Sequence, residues 1–183
     1  MLYIMRHGTT DWNVLHKLQG RTDIPLNEDG RAMARAAHDA CLNTHFDLCY
    51  SSPLKRAAET AEILLSGRNI PIRTDDRLME MSFGVYEGVE KSFSIPDCPV
   101  NILFQDPASY TDSVGGAETW EELFTRADSF LNEKVYPEVQ KGKDILIVGH
   151  GAMNSAIITR VRKLPIAKFW SNGIEQCKLM RLI

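Results

Sequence analysis

The stretch Met1-Leu2-Tyr3-Ile4-Met5-Arg6-His7-Gly8 decides the fold. Its apolar run reads as a short buried strand, and a cation, an imidazole and a glycine follow in the turn beyond it. A second apolar run, Asp144 to Gly149, ends in His150-Gly151. Two strand-like runs that both end in His-Gly place two histidines at the same edge of one sheet. In an open α/β sheet, that edge beyond the carboxyl ends of the strands is where ligands bind.

Working outward, residues 8 to 27 read as a loop. An alanine-rich helix is expected from Glu28 to Leu42, with Asn27 as its N-cap. Phe46 to Ser51 reads as a second strand. Pro53 is expected to open a helix that continues to Leu65 and ends at Gly67. Ile70 to Arg73 reads as a short third strand. Residues 82 to 116 hold Pro96, Pro99 and Pro107 and no clear period. Such an irregular segment is expected to act as a lid or to set specificity. Trp120 to Tyr136 carries apolar residues at helical spacing and is closed by Pro137. Lys143 to Gly149 is a strand, Ala152 to Val161 a helix, and Cys177 to Ile183 a final alternating strand. This order gives an α/β fold with helices on both faces of the sheet, in a single domain over residues 1–183.

Composition narrows the function classes. The 183 residues are 44% hydrophobic and 25% charged, with a net charge of −3. That balance disfavours a general nucleic-acid or membrane binder, so any anion site must be a local cluster of cations. The four cysteines, Cys41, Cys49, Cys98 and Cys177, show no metal-binding spacing. No apolar stretch approaches the ~18 residues that span a bilayer. Met1 to Met5 is too short for the apolar part of a signal peptide. The expected location is cytoplasmic, with scattered thiols kept reduced.

Five residues carry chemistry. His7 is a nucleophile candidate, because a neutral imidazole is competent at pH 7. Arg6 offers planar donors to phosphate oxygens, and Gly8 lets backbone approach a ligand closely. Arg56, at the start of a helix, is expected to reach the same anion with help from the helix amides. Glu80, between Met79 and Met81, is expected to be partly desolvated, which raises a carboxyl pKa and suits a general acid. His150 and the amides from Gly151 onward are placed to bind charge on phosphoryl oxygens. Asn13 and Gln19 can add amide hydrogen bonds. Trp12, Trp120 and Trp170 read as core or pocket wall, and His16, His38 and His45 as surface residues.

In this order, these residues resemble the histidine phosphatase superfamily, the phosphoglycerate mutase-like proteins. The matching stretches are Arg6-His7-Gly8-Thr9-Thr10-Asp11-Trp12-Asn13, Leu18-Gln19-Gly20-Arg21-Thr22-Asp23-Ile24-Pro25-Leu26, Ser51-Ser52-Pro53-Leu54-Lys55-Arg56-Ala57, Thr60-Ala61, Arg77-Leu78-Met79-Glu80 with Phe83-Gly84 and Glu87-Gly88, Gly115-Gly116-Ala117-Glu118 and Val148-Gly149-His150-Gly151. The resemblance runs nearly end to end. It implies a three-layer sandwich with a mostly parallel central sheet flanked by helices. It also implies a phosphohistidine on His7 and proton transfer by Glu80. Phosphoryl oxygens would be held by Arg6, Arg56 and His150, with Gly8, Asn13, Gln19, Gly20 and Gly151 lining the phosphate site. No metal or cofactor is required in that scheme.

The related mutases draw extra cations from the segment between the acid and the last histidine. Here residues 88 to 118 contain Lys91 and no arginine, with Glu90, Asp97, Asp106, Asp112 and Glu118 instead. The expectation is therefore a phosphatase acting on a small phosphomonoester with a neutral or apolar remainder. α-Ribazole phosphate, a nucleotide and a sugar phosphate are the open candidates. The alternatives are a cofactor-dependent phosphoglycerate mutase and a silent binding domain that keeps the fold. The oligomeric state is left open.

Overall fold

The computed structural model describes all 183 residues. Strand β1 (Leu2–Arg6) leads through a one-turn helix α1 (Asp11–Val14) to α2 (Glu28–Ala40). Then follow β2 (Leu48–Ser51), α3 (Lys55–Leu64) and β3 (Ile72–Thr74). After a stretch of single turns around α4 (Ile102–Gln105) come α5 (Trp120–Phe130), α6 (Tyr136–Gln140), β4 (Ile145–Gly149), α7 (Gly151–Arg162) and β5 (Met180–Arg181). The sheet order is β3-β2-β4-β1-β5, parallel except for the β1/β5 edge.

Alternation along buried strands builds the three layers. Leu2, Ile4, Leu48, Tyr50, Ile145 and Ile147 point into the larger core, with α5 and α7. Tyr3, Met5, Cys49, Leu146 and Val148 point the other way, onto Ala37 of α2 and Ala57, Ala61 and Leu64 of α3. Small alanines on those two helices let them lie close to the sheet and to each other. No helix is long and apolar enough to cross a membrane.

Several expected boundaries shift for local reasons. The second strand begins at Leu48 rather than Phe46; Phe46 is buried beside the sheet, edge-on to Tyr3. Pro53 precedes α3 instead of opening it, because Leu54 takes the extended N-cap conformation. The third strand covers Ile72–Thr74 and is an exposed edge. Pro137 does not end the helix after α5. A wide π turn at Leu131–Val135 comes immediately before it, which gives the proline ring room, and the helix continues to Gln140. The final strand shrinks to Met180–Arg181. His38 is not a free surface residue: its Nδ1 sits 2.8 Å from the Leu64 carbonyl and ties α2 to α3.

Candidate active site

Strand register brings the two histidines together. Arg6 of β1 pairs with Gly149 of β4 in the parallel ladder, so His7 and His150, one residue on, leave the sheet side by side. Their rings lie 5.2 Å apart between centroids, tilted by 60°, and both are buried. The expectation that both His-Gly turns meet at one edge is met by this register.

The His7 tautomer follows from its neighbour. Nδ1 is 2.6 Å from the Gly8 carbonyl oxygen, which can only accept, so Nδ1 carries the proton and Nε2 keeps its lone pair. Burial, then the nearby Arg56 and Arg6 charges, hold the His7 pKa well below the ordinary imidazole value. His150 is lowered for the same leading reason, burial, with Arg56 and His7 next. Neither ring nitrogen of His150 has a protein partner. Both imidazoles are therefore neutral; His7 lines a cavity, and the fully buried His150 ring lies beside His7 but outside that lining.

That cavity has a volume of about 250 Å³, and Arg6, His7, Gln19, Arg56, Glu80 and Gly151 are among its lining residues. Arg6 and Arg56 make no ion pair. Arg56 is fully buried and held by two carbonyls, Gly20 at 2.7 Å and Thr22 at 2.9 Å, and its Nε has no partner. Arg6 makes one long bond, 3.5 Å, to the Ile174 carbonyl, and its Nε is also unpartnered. Burial lowers the pKa of both guanidiniums, with the Glu80 charge opposing. A buried Arg56 and a half-buried Arg6, neither with a paired carboxylate, suit an anion.

Glu80 faces the same cavity in an arrangement the sequence did not foretell. Its Oε1 accepts from the amides of Met81 at 2.8 Å and Met153 at 3.0 Å, and Oε2 accepts from Ala152 at 3.2 Å. The carboxylate thus caps the N-terminus of α7 from outside, while His150 takes the N-cap position with no side-chain bond. This corrects two expectations. The α7 amides after Gly151 are taken by Glu80 rather than free for a ligand, and Glu80 is hydrogen-bonded rather than merely desolvated. At the start of α3 the Lys55 amide bonds Asp23 at 2.8 Å and the Ala57 and Ala58 amides bond the Leu54 carbonyl, while Arg56 lines the cavity.

The remaining expected residues divide. Asn13 lines the cavity; its Oδ1 accepts from Thr10 and, at 3.0 Å, from Gln176, which leaves its NH₂ as the free end. Gln19 lines it with a buried, unpartnered Oε1. Gly20 has φ +54°, and an added Cβ would lie 2.1 Å from Glu87, so glycine is required there. Gly8 does not line the cavity. Its backbone packs instead against α2, where a Cβ would meet the Gly30 carbonyl oxygen at 2.5 Å. The close approach that Gly8 permits is to protein, not to ligand.

Three contributors had no role assigned from the sequence, although Thr60 and Glu87 lie in the matching stretches. Thr60 accepts from the Gly8 amide at 3.1 Å and donates to the Arg56 carbonyl at 2.6 Å, linking the His7 turn to α3. Glu87 accepts from the amides of Arg21, Thr22 and Phe83 and shapes the loop that carries Gln19 and Gly20. The mouth is walled by Leu18, Phe83, Phe104 and Trp170, with Lys17 beside them. Phe104 and Trp170 stack at 5.3 Å, fixed by the Trp170 indole bond to the Leu103 carbonyl at 2.7 Å. Of this wall, Trp170 is expected from the sequence as core or pocket wall.

Comparisons with known proteins agree with this geometry. The sequence profile of the histidine phosphatase superfamily (branch 1) matches residues 2–183. A 2,3-bisphosphoglycerate-dependent phosphoglycerate mutase of Cytophaga hutchinsonii is 32% identical over 90% of this chain and 78% of its own. The uncharacterized phosphatase PhoE of Bacillus subtilis is 36% identical over 86% of this chain and 75% of its own. The structure of Bacillus stearothermophilus YhfR superposes with a TM-score of 0.86 at 30% identity, over 97% of this chain and 88% of that one.

Proposed function

The chain belongs to the histidine phosphatase superfamily, and we propose that within it the protein hydrolyses small phosphomonoesters through a phosphohistidine on His7. One observation carries this reading: Arg6, half-buried, and Arg56, buried, neither paired with a carboxylate, converge on the cavity that the His7 imidazole lines, with the His150 ring 5.2 Å from that of His7. The phosphoryl group sits between the two arginines and His7, with His150 alongside. The Nε2 lone pair of His7 forms the P–N bond as the ester P–O bond breaks, and the departing oxygen takes the proton carried by Glu80. Water then gives a proton back to Glu80 and forms the new P–O bond, while the P–N pair returns to Nε2. The arginines supply the positive charge that a metal supplies elsewhere, and they oppose a second cation in the same space.

The wall of Leu18, Phe83, Phe104 and Trp170 supports an alcohol with a neutral or apolar remainder. A small cavity with few polar groups beyond the phosphate seat suits a small ester. Lys91 lies outside the cavity, next to Glu90 at 3.8 Å, so residues 88 to 118 add no cation to the site. Four free cysteines fit a reducing, cytoplasmic setting.

Lys17 at the mouth favours the second reading, a mutase that would hold a carboxylate there. Phosphate release from 4-nitrophenyl phosphate and from 3-phosphoglycerate, in EDTA, separates the two. Hydrolysis of the aryl ester is the expected result. Formation of 2-phosphoglycerate without net release, once a bisphosphate primer is added, would assign the mutase activity instead.

A further inference from the structure

Residues 79 to 83 have no regular secondary structure, so no ladder holds the backbone that presents Glu80. Side chains do so instead. Arg126, from α5, donates through Nη1 to the carbonyls of Arg77 and Met79, both at 2.6 Å. The same guanidinium makes a two-pronged pair with Glu118, Nε–Oε1 at 2.6 Å and Nη2–Oε2 at 2.9 Å. Glu118 reaches the other side of Glu80: its Oε2 accepts the Ser82 amide at 3.2 Å, and its own amide donates to the Ser82 carbonyl at 2.9 Å. Arg21 adds long bonds of 3.4 Å to the Glu80 carbonyl and to Glu118. Glu118 is buried, and the Arg126 side chain is largely so.

We infer that the Glu118–Arg126 pair is a positioning device for Glu80, setting the place of the carboxyl that moves the proton; this rests on the phosphatase reading above. The residue choice follows from the task. Two carbonyls on one side of Glu80 and an amide on the other must be satisfied at once, by groups that do not move. A guanidinium can span two carbonyls and a carboxylate in one plane, whereas an ammonium is a single point. The cost of burying both charges is offset because their bonds land on residues 77 to 82, on the partner charge and, from Glu118, on Arg21. A carboxyl displaced by about 1 Å from the leaving oxygen loses on the order of 100-fold in rate. The pair does not line the phosphate cavity, so substrate binding is separate from its action.

The test uses Arg126→Lys, with Glu118→Gln as the second variant, each alone and in a Glu80→Gln background. An alkyl phosphate and 4-nitrophenyl phosphate are the two substrates. The expected result is a kcat loss of about 10- to 100-fold on the alkyl ester. The aryl ester, whose leaving group needs little protonation, should lose no more than about threefold, with KM unchanged for both. In the Glu80→Gln background the second change should add less than about twofold, as for residues acting as one unit. Equal losses on both esters, a raised KM, or fully multiplicative losses in the double variants would overturn the inference. So would failure of both single variants to fold by circular dichroism, which would assign the pair to stability. If Glu80→Gln itself shows no alkyl/aryl difference, the general-acid reading fails first. If it does and the Arg126 and Glu118 variants do not, only the positioning role fails.

Discussion

The two halves of this site are held by different means. The nucleophile half, with Arg6, His7 and His150, hangs directly from the ladder between β1 and β4, and Arg56 comes from the first turn of α3. Its geometry is set by backbone hydrogen bonds that any apolar strand pair would make. The acid half, with Glu80, sits on irregular chain and is placed by a ring of side chains: Arg126, Glu118, Arg21 and the amides of α7. Regular structure delivers the group whose lone pair must point at phosphorus. Side-chain chemistry delivers the group whose distance from a variable leaving oxygen must be tuned.

Four measurements would break or sharpen that contrast. The largest effect is expected from His7→Ala, which should abolish phosphate release while the circular dichroism spectrum stays native, because His7 lies beyond the strand end. Full turnover in the folded variant would remove His7 from the nucleophile half. Next, Glu80→Gln should cost on the order of 100- to 10,000-fold on alkyl esters and much less on aryl ones. It should also lower the melting temperature, since the neutral amide is a weaker cap for α7 than the carboxylate. An unaltered melting point would deny the capping role, whatever the kinetics.

A smaller effect is expected at the mouth. Trp170→Ala removes one member of the stack with Phe104 and should raise KM for aryl phosphates roughly 3- to 10-fold, from an aromatic contact of about 0.5–1.5 kcal/mol. Inhibition by inorganic phosphate should not change. A rise in the phosphate inhibition constant would instead show that the tail bearing Trp170 supports the anion seat, for instance through the Ile174 contact to Arg6.

The smallest effect is in stability against pH. Unfolded, His7 and His150 bind protons near their ordinary value of 6.5; folded, they do so only well below it. Between those limits the unfolded chain holds more protons, so stability rises with pH through the window and is fully present above it. The melting temperature should therefore fall as pH drops below about 6.5. His150→Gln should flatten that fall. A slope unchanged by the substitution would place the acid sensitivity elsewhere.

How much of this was legible in the sequence differs between the halves in the same way. The alternation of Leu2, Ile4 with Tyr3, Met5, and the repeated His-Gly ending, were enough to anticipate the layers and the meeting of the histidines. Alanine content with a cap located α2 and helical spacing located α5, each of which buries one stripe, whereas α7 is buried on all sides from Ala152 to Thr159. Residue patterning misplaced the ends of β2, β3 and β5, where burial by neighbours rather than propensity sets the limit. It could not see that the proline after α5 would be absorbed by a π turn.

By itself the sequence determined an α/β sheet, the candidacy of His7, His150 and the arginines at strand and helix ends, and the resemblance to the family, because strand period and motif order are local consequences of residue order. Only the tertiary structure decided that Glu80 caps α7, that Gly8 makes room for α2 rather than for a ligand, and that Phe104 and Trp170 meet at the mouth. Each of those joins residues tens of positions apart through side chains in irregular chain, where no period exists to read and only packing chooses the partner.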